Sequence, residues 1–389
     1  MARTQPALER PAWWPSVREE ALVRLALGLP VVEAEARASL LGAVQSPSPE
    51  EVRLLPLIYR RLFMDPDTRQ AGAGRAPRET AGRLRRAWVE SRAARAHALR
   101  QLQEVLAALT PETPVAPLKG LALDAWYGCA GRPIGDLDLL VPERLLGSAL
   151  RRLEGLGYRA TDEIDPRSPR AKHSCAMACE GRVEVDVHWI LDVRLAGASG
   201  GETAMARLWR HARSVEWAAH TLQRLRSEHH LLHAVIHGAR VDSRAQARWA
   251  VDAIEILRRE GADFDWDELL ATTRELDVAA WVGPALQWLD RLLPDLIPAE
   301  VQRSLRHQRR GVSVRCLWWL DSHALAPGVA LDVQRTLRWH LARTRGAGLV
   351  RGLLSYPRWL VAAGLVRSPG HVLAHWKRRR RERRERTST

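Results

Sequence analysis

Arg132-Pro133-Ile134-Gly135-Asp136-Leu137-Asp138-Leu139-Leu140-Val141 sets two carboxylates two residues apart in an otherwise apolar stretch. In a β-strand, residues i and i+2 project from the same face, about 7 Å apart along the rise. Asp136 and Asp138 therefore share one face, while Leu137 and Leu139 turn to the core. Two like charges placed side by side repel each other, and a bound cation is the ordinary means of holding them.

The flanking segments extend the pattern. Pro117-Leu118-Lys119-Gly120 leads into Leu121 to Tyr127, which reads as a short helix before a turn at Gly131. A glycine at a helix start lets a phosphate approach the backbone N–H groups, and Lys119 adds a mobile positive charge. Only Lys119, Lys172 and Lys377 are lysines among the 60 basic residues, so a lysine here stands against a strong arginine bias. Downstream, Arg182-Val183-Glu184-Val185-Asp186-Val187-His188-Trp189 alternates strictly. The valines form one strand face; Glu184, Asp186 and His188 form the other. A solvent-facing acidic strand accounts for this plainly. So does a site for two divalent cations about 4 Å apart, with oxygen ligands drawn from neighbouring strands.

Lys-Gly, then Arg-x3-Asp-x-Asp-Leu-Leu-Val, then Val-Asp-Val-His-Trp resembles a bacterial nucleotidyltransferase-like family, an uncharacterised one, of the DNA polymerase β-type superfamily. The flanks agree in order: Leu54 to Tyr59 upstream, and Leu231 to Gly238 with Arg248 to Asp252 downstream. The resemblance spans roughly residues 20 to 260, with sharp motifs between Lys119 and Trp189. The superfamily's usual Gly-Ser pair is here Lys119-Gly120, without the serine hydroxyl that commonly touches phosphate.

The resemblance implies a metal-dependent nucleotidyltransferase. Asp136, Asp138 and Asp186 are expected to hold two Mg²⁺ ions, with Mn²⁺ an alternative, and Asp186 to activate the acceptor hydroxyl; Glu184 competes with Asp186 for the third position. Lys119, Gly120 and Arg132 are expected to bind the nucleoside triphosphate, ATP first among them. The acceptor class is left open between a small hydroxylated metabolite, a glycan, a peptide and a protein side chain. His188 is expected to brace its strand or hydrogen-bond a carboxylate. His233 and His237, four apart, are expected to pack toward the nucleotidyltransferase unit. Trp249 and Asp252 resemble a pair that borders the acceptor pocket, with capping or packing as equal alternatives. The competing functions are a non-catalytic nucleotide sensor and a nucleic-acid-binding protein on the same fold.

Composition fits a folded chain, with 46% hydrophobic and 27% charged residues among 389. No signal peptide and no membrane span is read from the sequence, so the expected location is the cytoplasm, with peripheral membrane contact open. Cys175-x3-Cys179 with His173 lacks an evident fourth zinc ligand. The net charge of +15 invites a nucleic-acid reading, but Lys377 to Arg386 alone carries eight basic and two acidic residues, six of the net fifteen.

The fold expected is α+β: a small mixed-sheet nucleotidyltransferase core flanked by N-terminal and C-terminal helical regions. The segments read as a helical region at 1–110, the α/β core at 111–198, a nearly continuous helical region at 199–376, and a basic disordered tail at 377–389. Leu349 to Trp376 reads as a final core helix pair, with a membrane-surface helix as the alternative.

Overall fold

The apolar strand around Asp138 lies inside a five-stranded mixed sheet in the computed structural model, which describes residues 11, 13–65, 78–127, 132–161, 173–196, 201–239, 247–308, 311–323 and 329–362. The strands are β1 (Ala116–Pro117), β2 (Asp136–Leu140), β3 (Arg159–Ala160), β4 (Ser174–Ala178) and β5 (Glu184–His188). Their order is β1-β2-β5-β4-β3. Strands β2 and β5 run parallel, and the other pairs are antiparallel. A parallel pair needs a crossover, and the chain between β2 and β5 supplies it.

Helices precede and follow this sheet. Upstream lie α1 (Val17–Leu27), α2 (Glu33–Gln45), α3 (Pro49–Val52), α4 (Leu55–Tyr59) and the 32-residue α5 (Arg78–Leu109). Within the core region come α6 (Lys119–Tyr127) and α7 (Leu146–Gly155). Downstream are α8 (Val193–Ala196), α9 (Gly201–His211), α10 (Ser227–Gly238), α11 (Arg248–Glu260), α12 (Trp266–Glu275), α13 (Ala279–Leu292), α14 (Ala299–His307), α15 (Val312–Ser322), α16 (Val329–Thr344) and α17 (Leu349–Ala362). One apolar core runs from Trp13 to Ala342, and a separate small cluster of Leu360 with Val333, Tyr356, Trp359 and Val361 joins α16 to α17.

The reading of residues beyond 201 as nearly continuous helix is corrected by a β-hairpin, β6 (Arg213–Trp217) and β7 (His220–Arg224). Its turn is Ala218-Ala219, both at positive φ, so the Asn-Gly or Asp-Gly signature of such turns is missing from the sequence. Gln223 N–H donates to the Val115 carbonyl at 2.8 Å, which seats the hairpin beside β1.

Polar ties fix the helices that carry the site. Arg95 of α5 donates twice to Asp124 of α6, at 2.7 and 2.6 Å. Tyr127 of α6 donates to the Ser227 hydroxyl of α10 at 3.0 Å. The buried Gln101 amide brackets the entry to β5, donating to the Val183 carbonyl at 2.6 Å and accepting from its N–H at 2.8 Å. Farther on, Arg194, after β5, sits fully buried beside Asp192 at 3.1 Å and over the Trp281 ring. Asp321 accepts from Trp281 Nε1 at 2.8 Å and from Arg338 at 2.9 Å, so α13, α15 and α16 share one polar cluster inside the core. Such a cluster favours one arrangement of helices over sliding alternatives, because any shift strands a buried charge.

Candidate functional site

Register brings the acidic residues together. Across the parallel pair, Asp136 stands opposite Glu184, Asp138 opposite Asp186 and Leu140 opposite His188. Leu137, Leu139, Val185 and Val187 are fully buried on the other face, so the alternation of the sequence places all the acidic side chains on one side. Asp136 and Glu184, at the strand starts, are exposed. Asp138 retains 2% of its exposure and His188 1%, while Asp186 is half-buried.

Asp138 Oδ1 accepts a hydrogen bond from the Lys119 ammonium. The same oxygen lies 3.0 Å from His188 Nε2, and that nitrogen is also 3.0 Å from Asp186 Oδ2. Lys119 Nζ reaches to 4.0 Å from Asp186 Oδ2. Two carboxylates thus share two cationic partners at the base of the site. Burial disfavours the charge on Asp138, yet Lys119 and His188 outweigh it and hold the carboxyl far below its ordinary range. Asp186 is similarly held down to about 2, with burial opposing and His188 dominating the attraction. Burial alone would make His188 a weak base, but Asp186 and the bonds to both carboxylates push it up to about 9, Lys119 opposing. Asp136 moves the other way: although its side chain reaches the surface, the neighbouring Asp138 charge, with the protein crowded around its carboxyl, raises its pKa, partly offset by Lys119 and Arg248.

Asp138, Asp186 and His188 offer ligand atoms all within 4.8 Å of one another, the one such group among the described residues. Asp186 Oδ1 is buried with no hydrogen-bond partner. A buried carboxylate oxygen without a donor, beside a second carboxylate, fits a hard divalent cation such as Mg²⁺ or Mn²⁺. His173, Cys175 and Cys179 do not form a comparable cluster among the described residues.

Lys119 opens α6 at φ +44°, a left-handed conformation that costs a non-glycine residue about 1–2 kcal/mol. That cost is met where Lys119 joins Asp138, which locates the strain at the site itself. Gly120 has a different necessity. A Cβ at this position would stand 2.2 Å from Arg132 Nη1. The Arg132 guanidinium is buried against it, donating from Nε and Nη2 to the two Asp252 oxygens, each at 2.8 Å. Asp252 of α11 therefore anchors the segment leading into β2, a contact spanning 120 residues of sequence.

A cleft of about 320 Å³ opens over the strand starts, lined by Arg53, Lys119, Arg132, Pro133, Gly135, Asp136, Asp138, His237 and Arg248. Its cations come from the α3–α4 turn, α6, the approach to β2 and α11. No motif points to Arg53 as a cleft residue, and Arg248 and His237, which the sequence placed only in flanking helical segments, join it at one wall through folding alone. His233 and His237 pack as expected toward the core, with the His233 ring 6.4 Å from His188 and 5.7 Å from His237. Burial pulls the His233 pKa well down and that of His230 to about 3, so both rings are neutral. Trp249 sits against Gly238, where no side chain would fit.

The family profile described as "Uncharacterised nucleotidyltransferase" matches residues 50–294. Among curated proteins nothing matches. Among solved structures, the solution structure of the antibiotic-resistance factor ANT(2'')-Ia is similar at 16% identity and a TM-score of 0.31, covering 49% of this chain and 94% of its own. A likeness that distant leaves every residue assignment to the geometry above.

Proposed function

Because the chain belongs to the uncharacterised nucleotidyltransferase family, we propose that it moves a nucleoside monophosphate from a nucleoside triphosphate, ATP first, to a hydroxyl of a small molecule, glycan, peptide or protein. The acceptor oxygen bonds to the α-phosphorus, the bond to the bridging oxygen breaks, and pyrophosphate leaves. Asp136, Asp138 and Asp186 would hold Mg²⁺ or Mn²⁺. Divalent ions in such a site polarise phosphoryl oxygens and neutralise the charge that develops on the leaving group.

The chain's own residues have separate tasks in this reading. Lys119, Arg53 and Arg248 face the cleft with positive charge and would align the triphosphate. Arg132 lines the same wall with its charge compensated by Asp252, so its part would be to fix the approach to β2 beside the triphosphate. Asp186, whose Oδ1 has no hydrogen-bond partner, would complete the metal's shell and accept the proton of the attacking hydroxyl. His188 Nε2, 3.0 Å from both Asp138 Oδ1 and Asp186 Oδ2, would hold the two carboxylates in a common orientation.

The observation that carries the proposal is the direct register of Asp138 with Asp186 on two parallel strands beside a cation-lined cleft. Calorimetric titration of ATP with Mg²⁺ into the native protein and into the Asp136→Asn/Asp138→Asn variant tests it. The expected result is metal-dependent binding that the variant loses. Equal binding by both would remove the carboxylates from the site.

A further inference from the structure

Helix α17 has two faces of different fate. Gly352 lets it approach α16 closely, since a Cβ there would stand 2.7 Å from Thr344 Oγ1 and 2.9 Å from Leu341 Cδ2. On the same side His340 Nε2 lies 2.8 Å from the Gly352 carbonyl and 2.9 Å from the Ser355 hydroxyl. The Tyr356 hydroxyl meets Thr336 at 2.5 Å, Trp359 stacks beside Tyr356 and His340, and Leu360 is buried. The opposite side carries Val350, Leu353, Leu354 and Pro357, spaced i, i+3, i+4 and i+7, and all are exposed. Val350 is 71% and Leu354 76% accessible, values at which an aliphatic side chain gains nothing from folding. Arg351 and Arg358 are exposed at one margin of this stripe.

Charge defines what the stripe can meet. From Val333 to Arg381 the sequence has twelve Lys and Arg residues and no Asp or Glu. An apolar helix face edged by arginines, in a 49-residue stretch free of acidic residues, combines the two attractions that hold a helix at an anionic lipid interface. Long arginine side chains can extend to the headgroups while their stems cover apolar surface. A nucleic acid would use the charge but leave Leu353, Leu354 and Val350 in water, so the apolar stripe favours lipid. No described helix is long and apolar enough to cross a membrane, which agrees with docking in the interfacial plane.

We propose that α17 is a peripheral membrane-docking helix, with Val350, Leu353, Leu354 and Pro357 entering the headgroup boundary of an anionic bilayer and Arg351 and Arg358 at its margin meeting the phosphates. The inference is independent of the nucleotidyltransferase site. Each basic residue near such a surface raises partitioning about fivefold, and each buried aliphatic side chain about tenfold.

The test is flotation of the full chain with vesicles of phosphatidylcholine alone and of phosphatidylcholine with 30% phosphatidylglycerol (roughly the anionic share that gives a strong surface potential). The variants are Leu353→Asp/Leu354→Asp and, as a control on the same helix, Leu353→Ala/Leu354→Ala. Both positions are exposed, so circular dichroism and nucleotide binding should match the native protein. Expected is flotation with anionic vesicles only, reduced more than about tenfold by the aspartate pair and less by the alanine pair. Absence of flotation with anionic vesicles would overturn the proposal. So would flotation that the aspartate pair leaves unchanged, which would put the binding elsewhere. A native dimer that the aspartate pair dissociates, with no vesicle binding, would assign the stripe to a second copy instead.

Discussion

Replacing Gly120 by alanine should unfasten the contact that joins the motif strand to the C-terminal helices. The new Cβ would stand 2.2 Å from Arg132 Nη1. Non-bonded contacts settle near about 3.5 Å, so the guanidinium must retreat by roughly 1.3 Å. Its two bonds to Asp252, both 2.8 Å, then stretch past the range in which a hydrogen bond survives. Both partners are buried, and breaking such a pair costs about 3–5 kcal/mol. The helix preference of alanine over glycine returns at most about 1 kcal/mol. The expected net loss is about 2–4 kcal/mol, measured by urea unfolding followed through tryptophan fluorescence. The mechanism is checked in an Arg132→Met/Asp252→Leu background, where no guanidinium occupies the space and Gly120→Ala should cost less than about 1 kcal/mol. An equal loss in both backgrounds would refute the argument.

Asp138→Asn should lower transfer at least about a thousandfold, read as α-label incorporation. It should also cost about 1–3 kcal/mol of stability in thermal scans, because Asp138 is the shared acceptor of Lys119 and His188 and an amide is a poorer one. The His188 pKa is raised from 6.5 to about 9, so its contribution to apo stability is complete below pH 6.5 and is lost as pH rises through about 9. In chelator, the melting temperature of the native protein should fall over that window, and that of His188→Gln should not. Asp186, lowered from 3.8 to about 2, contributes above pH 3.8 and ceases to do so as pH falls through about 2, which acid unfolding of Asp186→Asn should reveal as a flatter profile. Removing divalent cations with a chelator should stop transfer, and Mg²⁺ at 100 times its dissociation constant should restore it while stabilising the fold by about 2.7 kcal/mol.

Local patterns in the sequence specified the strands well. Strict alternation in Val183 to His188 and the apolar run from Leu137 to Val141 predicted β5 and β2, because each strand has one face buried and one polar, and period-two patterns carry that information. The helix from Arg78 to Leu109 matched its apolar spacing for the same reason at period 3.6. What the residues near the motif could not show is which distant groups meet them. The Arg132–Asp252 pair spans 120 positions, and Arg53 and Arg248 reach the cleft from separate helical regions. Arginine is so abundant here that no single one stands out by type. The hairpin at Arg213–Arg224 was hidden because Ala218 and Ala219 adopt positive φ without the residues that usually announce it. Exposure of Leu353 and Leu354 was hidden likewise, since an amphipathic spacing states that a face is apolar and not whether another helix covers it.

The most direct test of the central claim is to supply ATP labelled at the α- or the γ-phosphate, with Mg²⁺ and a cell extract as the source of acceptor, to the native protein and to Asp138→Asn. Nucleotidyl transfer at this site predicts that α-label enters a product, that γ-label emerges as pyrophosphate, and that the variant does neither. Entry of γ-label into the product, or equal transfer by Asp138→Asn, would contradict it.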